Sequence, residues 1–365
     1  MWLIFSVTVF IGLLYLFLIS VFYLGWIHMK AFVPKGDEQI RTKISVIVAC
    51  RNEENHVLQL IGCMAQQSNQ NFELIFVNDH SKDATRNYIN KAQEDFPKIR
   101  LIDATGYGKK NALKEGILNA SGELIITTDA DCMPAYHWVE SIACFYKKYT
   151  CDLIICPVKL SGKNTLFSRL QVLEFTSLIA TAAGASGSGM PVLCNGASLA
   201  FTKNAWLHAQ ADLHPEKQSG DDMFLLESVK RQGGKIRFLK SESAFVTTQQ
   251  AVTLTGFIKQ RSRWTSKSNV YTDWQIITTA CIVLSINMLL LILLSLSFFN
   301  LTAFIAFVLL FLLKYGLDSV FLFSVRKFFQ LNNVWIYSFL LSLMYPFYIV
   351  FVAFSGLLGK QGSWK

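Results

Sequence analysis

The sequence has little charge, and the charge that it has is unevenly placed. Charged residues make up 16% of the 365 residues and apolar residues 52%, a balance that argues against an ordinary soluble enzyme. Residues 1–27 and 274–313 contain no Asp, Glu, Lys or Arg, whereas residues 30–275 hold 29 of the 34 basic and 24 of the 25 acidic side chains. The chain is therefore a charged block of single-domain size between nearly charge-free flanks.

Three other patterns are missing. No two of the eight cysteines form a C-x-x-C pair, so we expect buried, reduced thiols rather than a cysteine framework. The stretch 184–189 lacks the G-x-G-x-x-G order and follows no predicted strand, which indicates a flexible loop and not a dinucleotide-binding turn. No basic and aromatic strip accompanies the net charge of +9, which argues against a nucleic-acid binder.

Four apolar runs have the length of a membrane-spanning helix, which needs about 20 residues. They cover residues 1–27, 276–297, 302–324 and 334–358. The first run has neither a basic start nor a small-residue cleavage pattern, so we interpret it as a membrane helix and not as a signal peptide. Lys314 and Asp318 lie one turn apart in the third run; either they pair within the membrane or they lie near its surface.

The basic residues near these runs predict the orientation of the chain. They form three clusters, namely Lys30, Lys35, Arg41 and Lys43; Lys259, Arg261, Arg263 and Lys267; and Arg326 with Lys327. All three fall on one side if the N-terminus is outside, with Lys360 and Lys365 on the other. We therefore expect a multi-pass protein of the inner cell membrane whose central block is cytoplasmic.

The central block, residues 44–270 after a linker over residues 28–43, alternates strand and helix patterns. Apolar runs predict strands at 44–49, 72–77, 99–102 and 124–128, and helices are predicted at 53–66, 81–96 and 110–120. This alternation indicates a doubly wound, mostly parallel α/β sheet. Ligands bind such sheets beyond the carboxyl ends of the strands.

Polar residues fall at three of these strand ends. Asn52 and Glu53 follow the first strand, Asp79 ends the second, and Asp129-Ala130-Asp131 ends the fourth. They predict one cleft lined by acids and amides. Two acids spaced by one residue can bind a single Mg²⁺ or Mn²⁺, although acids are also common in turns and helix caps.

Three further segments admit a chemical and a structural interpretation. Asp221 and Asp222 precede an apolar helical run, where adjacent acids can supply a general base or simply favour a helix N-terminus. Lys109 can reach a phosphate or be solvated. The segment from Gln260 to Trp264 precedes the second span, where it is either a phosphate clamp with an aromatic platform or an interfacial anchor.

Together these segments resemble family 2 glycosyltransferases of the GT-A fold, in the membrane-bound branch that includes polysaccharide synthases and ceramide-glucosyltransferase-like enzymes. The resemblance rests on residues 44–54, 77–83, 108–113, 129–131 and 220–222, and on the Q-x-x-R-W signature at Gln260, Arg263 and Trp264. Ala49 departs from the pattern because many members have proline there, and Asp221 replaces a commoner glutamate.

The resemblance implies a role for each candidate residue and a divalent cation, Mg²⁺ or Mn²⁺, as cofactor. Asn52, Glu53, Asp79, Lys109 and Asp129 would bind the nucleotide sugar, Asp129 and Asp131 the metal, and Asp221, Gln260, Arg263 and Trp264 the diphosphate and the acceptor, with Asp222 as the general base. The implied reaction is inverting hexosyl or N-acetylhexosaminyl transfer from a nucleoside-diphosphate sugar, in the first place a UDP-sugar.

The identity of the acceptor separates two enzyme hypotheses. Apolar spans with few polar residues favour transfer of one sugar to a lipid or lipid-linked acceptor at the bilayer over a processive polysaccharide synthase that extrudes its product. A membrane protein with a non-catalytic sugar-nucleotide-binding domain is the alternative of another class. The presence of all the expected acids argues against it.

Overall fold

The computed structural model describes residues 2–34, 40–163, 165–213 and 220–358, so Lys35, Lys360 and Lys365 of the basic clusters lie outside the described residues. The chain divides into two compact units. The helical unit is drawn from residues 1–29, 162–192 and 250–362, and the sheet unit from residues 30–161 and 193–249. Residues 162–192 and 250–270 of the expected central block thus group with the apolar helices.

Ten strands form two sheets in the described part of the sheet unit. Their bounds are β1 Ile44–Cys50, β2 Glu73–Asn78, β3 Ile99–Asp103, β4 Leu124–Asp129, β5 Met133–Pro134, β6 Leu153–Ile155, β7 Val158–Ser161, β8 Leu199–Thr202, β9 Ile236–Phe238 and β10 Val246–Gln249. The larger sheet has the order β3-β2-β1-β4-β8-β6-β9, and the smaller one the order β5-β10-β7. All neighbours in the larger sheet are parallel except β8, which is antiparallel to β4 and β6.

The predicted strands are found within one residue of their expected bounds. All seven residues of β1 are buried, which explains why its sequence is apolar on both faces. The mostly parallel sheet is confirmed for the first four strands, and β8 makes the whole sheet a mixed one.

Twelve α-helices lie in the described residues. Their bounds are α1 Trp2–His28, α2 Val57–Ala65, α3 Thr85–Asp95, α4 Lys109–Leu118, α5 Trp138–Tyr149, α6 Leu166–Gly187, α7 Lys203–Ala209, α8 Asp221–Arg231, α9 Leu254–Thr265, α10 Trp274–Ser297, α11 Leu301–Val325 and α12 Val334–Leu358. Four of them, α1, α10, α11 and α12, are long and apolar enough to cross a membrane. These are the four spans that the sequence predicts.

Helix α2 begins four residues later than expected. Asn52 has a left-handed backbone with φ 54°, and the Glu53 carbonyl accepts from the amides of His56 and Val57, both at 2.9 Å. Residues 53–56 therefore form a turn that leads into the helix. Helix α3 also begins late, at Thr85, whose amide donates to Asp83 Oδ1 over 3.0 Å.

The prediction of a flexible loop at residues 184–189 is wrong, because residues up to Gly187 belong to α6. Small residues here allow two helices to approach closely. A Cβ atom at Gly184 would collide with the backbone carbonyl of Phe22 on α1, and one at Gly25 of α1 would collide with the carbonyl of Gly184. The glycines mark a helix–helix contact inside the helical unit.

We expect Gly184→Ala to lower the stability of the helical unit by about 1–3 kcal/mol, since an added methyl must push two backbones apart. The matched control is Gly316→Ala on α11, where an added Cβ would meet nothing within 4 Å. Thermal unfolding of the purified protein in detergent checks this. Equal unfolding midpoints for the two variants would contradict the close helix contact.

The two charged residues of the third span pair with each other. Lys314 Nζ lies 2.6 Å from Asp318 Oδ2, and the Tyr15 hydroxyl donates to Asp318 Oδ1 over 2.5 Å. The Lys314 side chain is 3% exposed, and its ammonium lies 4.8 Å from the centre of the Tyr345 ring. The pair thus joins α1, α11 and α12 within the helical unit.

Candidate active site

The predicted polar strand ends lie side by side. Strand β1 lies between β2 and β4, and its register places Cys50 beside Asn78 and Ala49 beside Asp129. The loops that carry Asn52 and Asp79, and the last residue of β4, therefore leave the sheet at one edge. This is the edge at which parallel sheets bind ligands.

Asn52 and Glu53 join two of these loops. The Asn52 side-chain oxygen accepts from the Lys82 amide over 2.9 Å, and the Glu53 amide donates to Thr85 Oγ1 over 2.7 Å. The buried Glu53 carboxylate contacts His56 Nδ1 at 3.0 Å. These bonds hold the loop after β1 against the loop after β2.

Asp79 is fully buried and holds the segment that leads into α4. Its Oδ2 atom accepts from the Gly108 amide over 3.0 Å and lies 3.4 Å from Arg51 Nη1, and His80 Nδ1 lies 3.1 Å from Oδ1. Gly108 has φ 93°, a conformation that glycine adopts without strain. Asp79 thereby fixes where α4 begins.

Lys109, the first residue of α4, forms an ion pair with Asp129 at the end of β4. Burial alone lowers the pKa of Lys109. The negative charge of Asp129 outweighs that effect, with smaller contributions from Asp221 and Asp222, so the net pKa is raised. Lys109 is therefore a firmly protonated cation close to three of the predicted acids.

The packing of α4 on the sheet requires a glycine. A Cβ atom at Gly116 would lie 2.5 Å from Ile47 Cγ2 and 3.0 Å from Val77 Cγ2. The absence of a side chain lets α4 rest directly on β1 and β2. Lys109 is thus carried on a rigid element.

Asp221 and Asp222 begin α8, after Gly220 with φ 107°. Asp222 accepts two backbone hydrogen bonds, from the Gly196 amide to Oδ2 over 3.0 Å and from the Met223 amide to Oδ1 over 2.9 Å. Asp221 Oδ1 lies 3.7 Å from Lys110 Nζ. The helix N-terminus and the loop amide orient the Asp222 carboxylate.

Asp129, Asp131 and Cys132 form a group that could hold a metal ion, with one ligand atom from each within 4.8 Å of the others. The Cys132 thiol donates to Asp131 Oδ1 at 3.8 Å. Burial, together with the charges of Asp129 and Asp131, raises the pKa of that thiol. Two of these three possible ligands are carboxylates, which suit Mg²⁺ or Mn²⁺.

The remaining predicted residues belong to the helical unit. Gln260, Arg263 and Trp264 lie on α9, each half-buried. The other eight predicted site residues lie in the sheet unit, where Lys109, Asp129, Asp221 and Asp222 come together. Cys132 and the Gly196 amide belong to the same site and were not predicted. The sequence signal for Cys132 is its position directly after the D-x-D motif.

Most of the cysteines lie inside the fold. None of the eight cysteines, all of which lie in described ranges, forms a disulfide. All are buried except Cys63, which is half-buried, and Cys281, which is exposed.

Comparison with known proteins finds a family model and several relatives that match part of the chain. Residues 45–206 match the model of glycosyl transferase family 2. The poly-beta-1,6-N-acetyl-D-glucosamine synthase of Staphylococcus epidermidis is 28% identical over 156 residues, which are 41% of this chain and 37% of that protein. Its Staphylococcus aureus counterpart is 25% identical over 234 residues, which are 60% of this chain and 53% of that protein.

A probable glycosyltransferase of Bacillus subtilis, YdaM, is 30% identical over 133 residues, 33% of this chain and 30% of that protein. The chain thus spans about a third to a half of the curated relatives that it matches. A solved structure, the mannosyltransferase PcManGT from Pyrobaculum calidifontis in complex with GDP-Man and Mn²⁺, shares the fold with a TM-score of 0.60. It is 16% identical, and the match covers 98% of this chain and 99% of that chain.

Proposed function

We propose that this chain, which carries a family 2 glycosyltransferase domain of the GT-A fold, transfers one sugar with inversion from a nucleoside-diphosphate sugar to a hydroxyl group of a lipid or lipid-linked acceptor. The observation that carries the proposal is the cluster of Lys109, Asp129, Asp221 and Asp222 beyond the carboxyl ends of the strands. A diphosphate needs cations, an acceptor hydroxyl needs a base, and this cluster offers both.

Asp222 is the general base in this proposal. Its carboxylate takes the proton of the acceptor hydroxyl as that oxygen forms a bond to the anomeric carbon. The bond from the anomeric carbon to the diphosphate oxygen breaks on the opposite face, and its electron pair leaves with the nucleoside diphosphate. The amides of Gly196 and Met223 hold the carboxylate in place, so little reorganisation is needed in the transition state.

The donor side is formed by the strand-end loops. Asn52, Glu53 and Asp79 line the nucleoside end in this proposal, in the first place for uridine. Lys109 binds the diphosphate when its ammonium group leaves the ion pair with Asp129 and contacts a phosphate oxygen instead. Asp131 and Asp129 would hold a divalent cation, which would neutralise charge on the leaving diphosphate.

The helical unit carries the acceptor side of the proposal. Gln260, Arg263 and Trp264 hold the diphosphate and the acceptor end, with Asp221 beside the base. Their helix, α9, is separated from the span α10 by only eight residues, which supports an acceptor drawn from the membrane. We also place the sheet unit on the cytoplasmic side, as the basic clusters indicate; protease accessibility from each side of sealed vesicles checks this.

A second candidate, processive polysaccharide synthesis, is favoured by one specific observation. Two of the relatives reported above are named as synthases of poly-beta-1,6-N-acetyl-D-glucosamine. The two candidates share the same donor and base and differ only in whether the product remains in place as the next acceptor.

One experiment tests the function and separates the candidates. Membranes containing the chain are incubated with a panel of labelled UDP- and GDP-sugars, and the product is divided into lipid-extractable and polymeric fractions. We expect label from one donor in the lipid fraction. Label in polymer would establish the synthase instead, and no incorporation from any donor would favour a non-catalytic sugar-nucleotide-binding protein.

A further inference from the structure

A buried ion pair lies inside the helical unit, next to the Q-x-x-R-W signature. Arg261, which occupies a variable position of that signature, is 3% exposed. Its Nε and Nη2 atoms donate to the two carboxylate oxygens of Glu174 on α6 over 3.1 and 2.5 Å. The Tyr348 hydroxyl of α12 also donates to Glu174 Oε1 over 3.0 Å. The Glu174 carboxylate therefore accepts three hydrogen bonds.

The guanidinium of Arg261 has a second partner. Its Nη1 atom donates to the side-chain oxygen of Gln260 over 3.0 Å. A guanidinium has only donors, so the oxygen of Gln260 must face it and the amide nitrogen must point away. Arg261 thus determines which end of the Gln260 amide is presented outward.

Aromatic rings restrict the guanidinium to this position. Its central carbon lies 4.1 Å from the ring centre of Trp264 and 4.8 Å from that of Phe257. These two residues lie one turn to either side of Arg261 on α9. The bidentate bond to Glu174 and the flanking rings together restrict the Arg261 side chain to one conformation.

We propose that Arg261 is a positioning residue which, anchored by Glu174, holds Gln260 so that its amide nitrogen donates a hydrogen bond to the diphosphate of the sugar donor. The inference rests on the proposed function, because it assigns Gln260 to the diphosphate. Glu174, which lies 87 residues before Arg261 in the chain, acts in this proposal only through Arg261.

A double-mutant cycle in the full-length protein tests this. Gln260→Ala removes the donor, and Arg261→Lys keeps the charge opposite Glu174 but cannot bind Glu174 with two bonds and Gln260 with a third. We expect each single variant to raise the KM for the sugar nucleotide about tenfold, the usual effect of losing a hydrogen bond to a charged group. Because Arg261 acts through Gln260, the double variant should be no worse than Gln260→Ala alone.

Controls separate positioning from loss of fold. Thr255→Ala on the exposed start of α9 should leave KM unchanged, and thermal unfolding should show that Arg261→Lys remains folded. If it does not, the isosteric Glu174→Gln replaces it in the cycle with the same expectation. A merely structural role would lower the amount of active protein and leave KM unaltered.

The outcomes are distinct. The positioning role would be overturned if the effects of the two substitutions on KM multiply in the double variant, or if either single variant has an unchanged KM. In both cases turnover by the wild type would still uphold the proposed function. Absence of wild-type turnover with every sugar nucleotide would overturn both.

Discussion

Replacing Asp222 by Asn is expected to lower the turnover number for sugar transfer by about 10²–10⁴-fold, the usual contribution of a general base. Asn has nearly the same shape and can still accept from the Gly196 amide, so the local fold should persist. It cannot take a proton from a hydroxyl group. Nucleotide-sugar binding, measured by isothermal titration calorimetry, should change by less than about threefold because Asp222 acts on the acceptor and not on the donor.

The matched control is Asp95→Asn at the exposed end of α3, which makes the same charge change away from the site. We expect wild-type kinetics from it. Turnover by Asp222→Asn at the wild-type rate would remove Asp222 as the base. A loss of donor binding equal to the loss of turnover would instead assign Asp222 to the donor side.

Replacing Asp131 by Ala is expected to weaken cation-dependent binding of the nucleotide sugar by about 100-fold or more. Loss of a residue that only supports a metal ligand typically costs 10–100-fold in metal affinity, and loss of a ligand should cost at least as much. The measurement is equilibrium binding of a sugar nucleotide with Mg²⁺ or Mn²⁺ and again with a chelator. In the wild type the two conditions should differ, and in the variant they should coincide.

Glu123→Ala provides the control, because Glu123 is an exposed acid just before the opposite end of β4. It removes the same charge and should leave the effect of the cation intact. Equal binding by wild type and Asp131→Ala, with and without a cation, would contradict the metal role.

Much of the sheet could be predicted because buried strands have apolar sequences. β1 is buried along its whole length and β4 at every residue except Asp129, and both are correspondingly rich in apolar and β-branched residues. Helix α6 could not be predicted in the same way. Its glycines and serines favour a loop when only local propensity is considered, whereas their role depends on the approach of α1, a helix much earlier in the chain.

The candidate site, too, could be predicted only in part. The acids at the strand ends were predictable, since parallel strands place their carboxyl ends together. The groups that orient them were not. The Gly196 amide that holds Asp222, and the Glu174 carboxylate that holds Arg261, lie 26 and 87 residues from their partners. No local pattern joins such residues. Glu174 is the only acid between residues 153 and 211, and this isolation was its one signal.

Inverting transfer from a nucleoside-diphosphate sugar at this site can be measured directly. The most direct measurement incubates purified wild-type protein and Asp222→Asn with the donor chosen from the panel and a membrane lipid extract, and follows both nucleoside diphosphate release and the anomeric configuration of the product by NMR. We predict one nucleoside diphosphate released for each sugar transferred, the anomeric configuration opposite to that of the donor, and neither signal with Asp222→Asn. Retention of the donor configuration, or equal release by both proteins, would contradict the account.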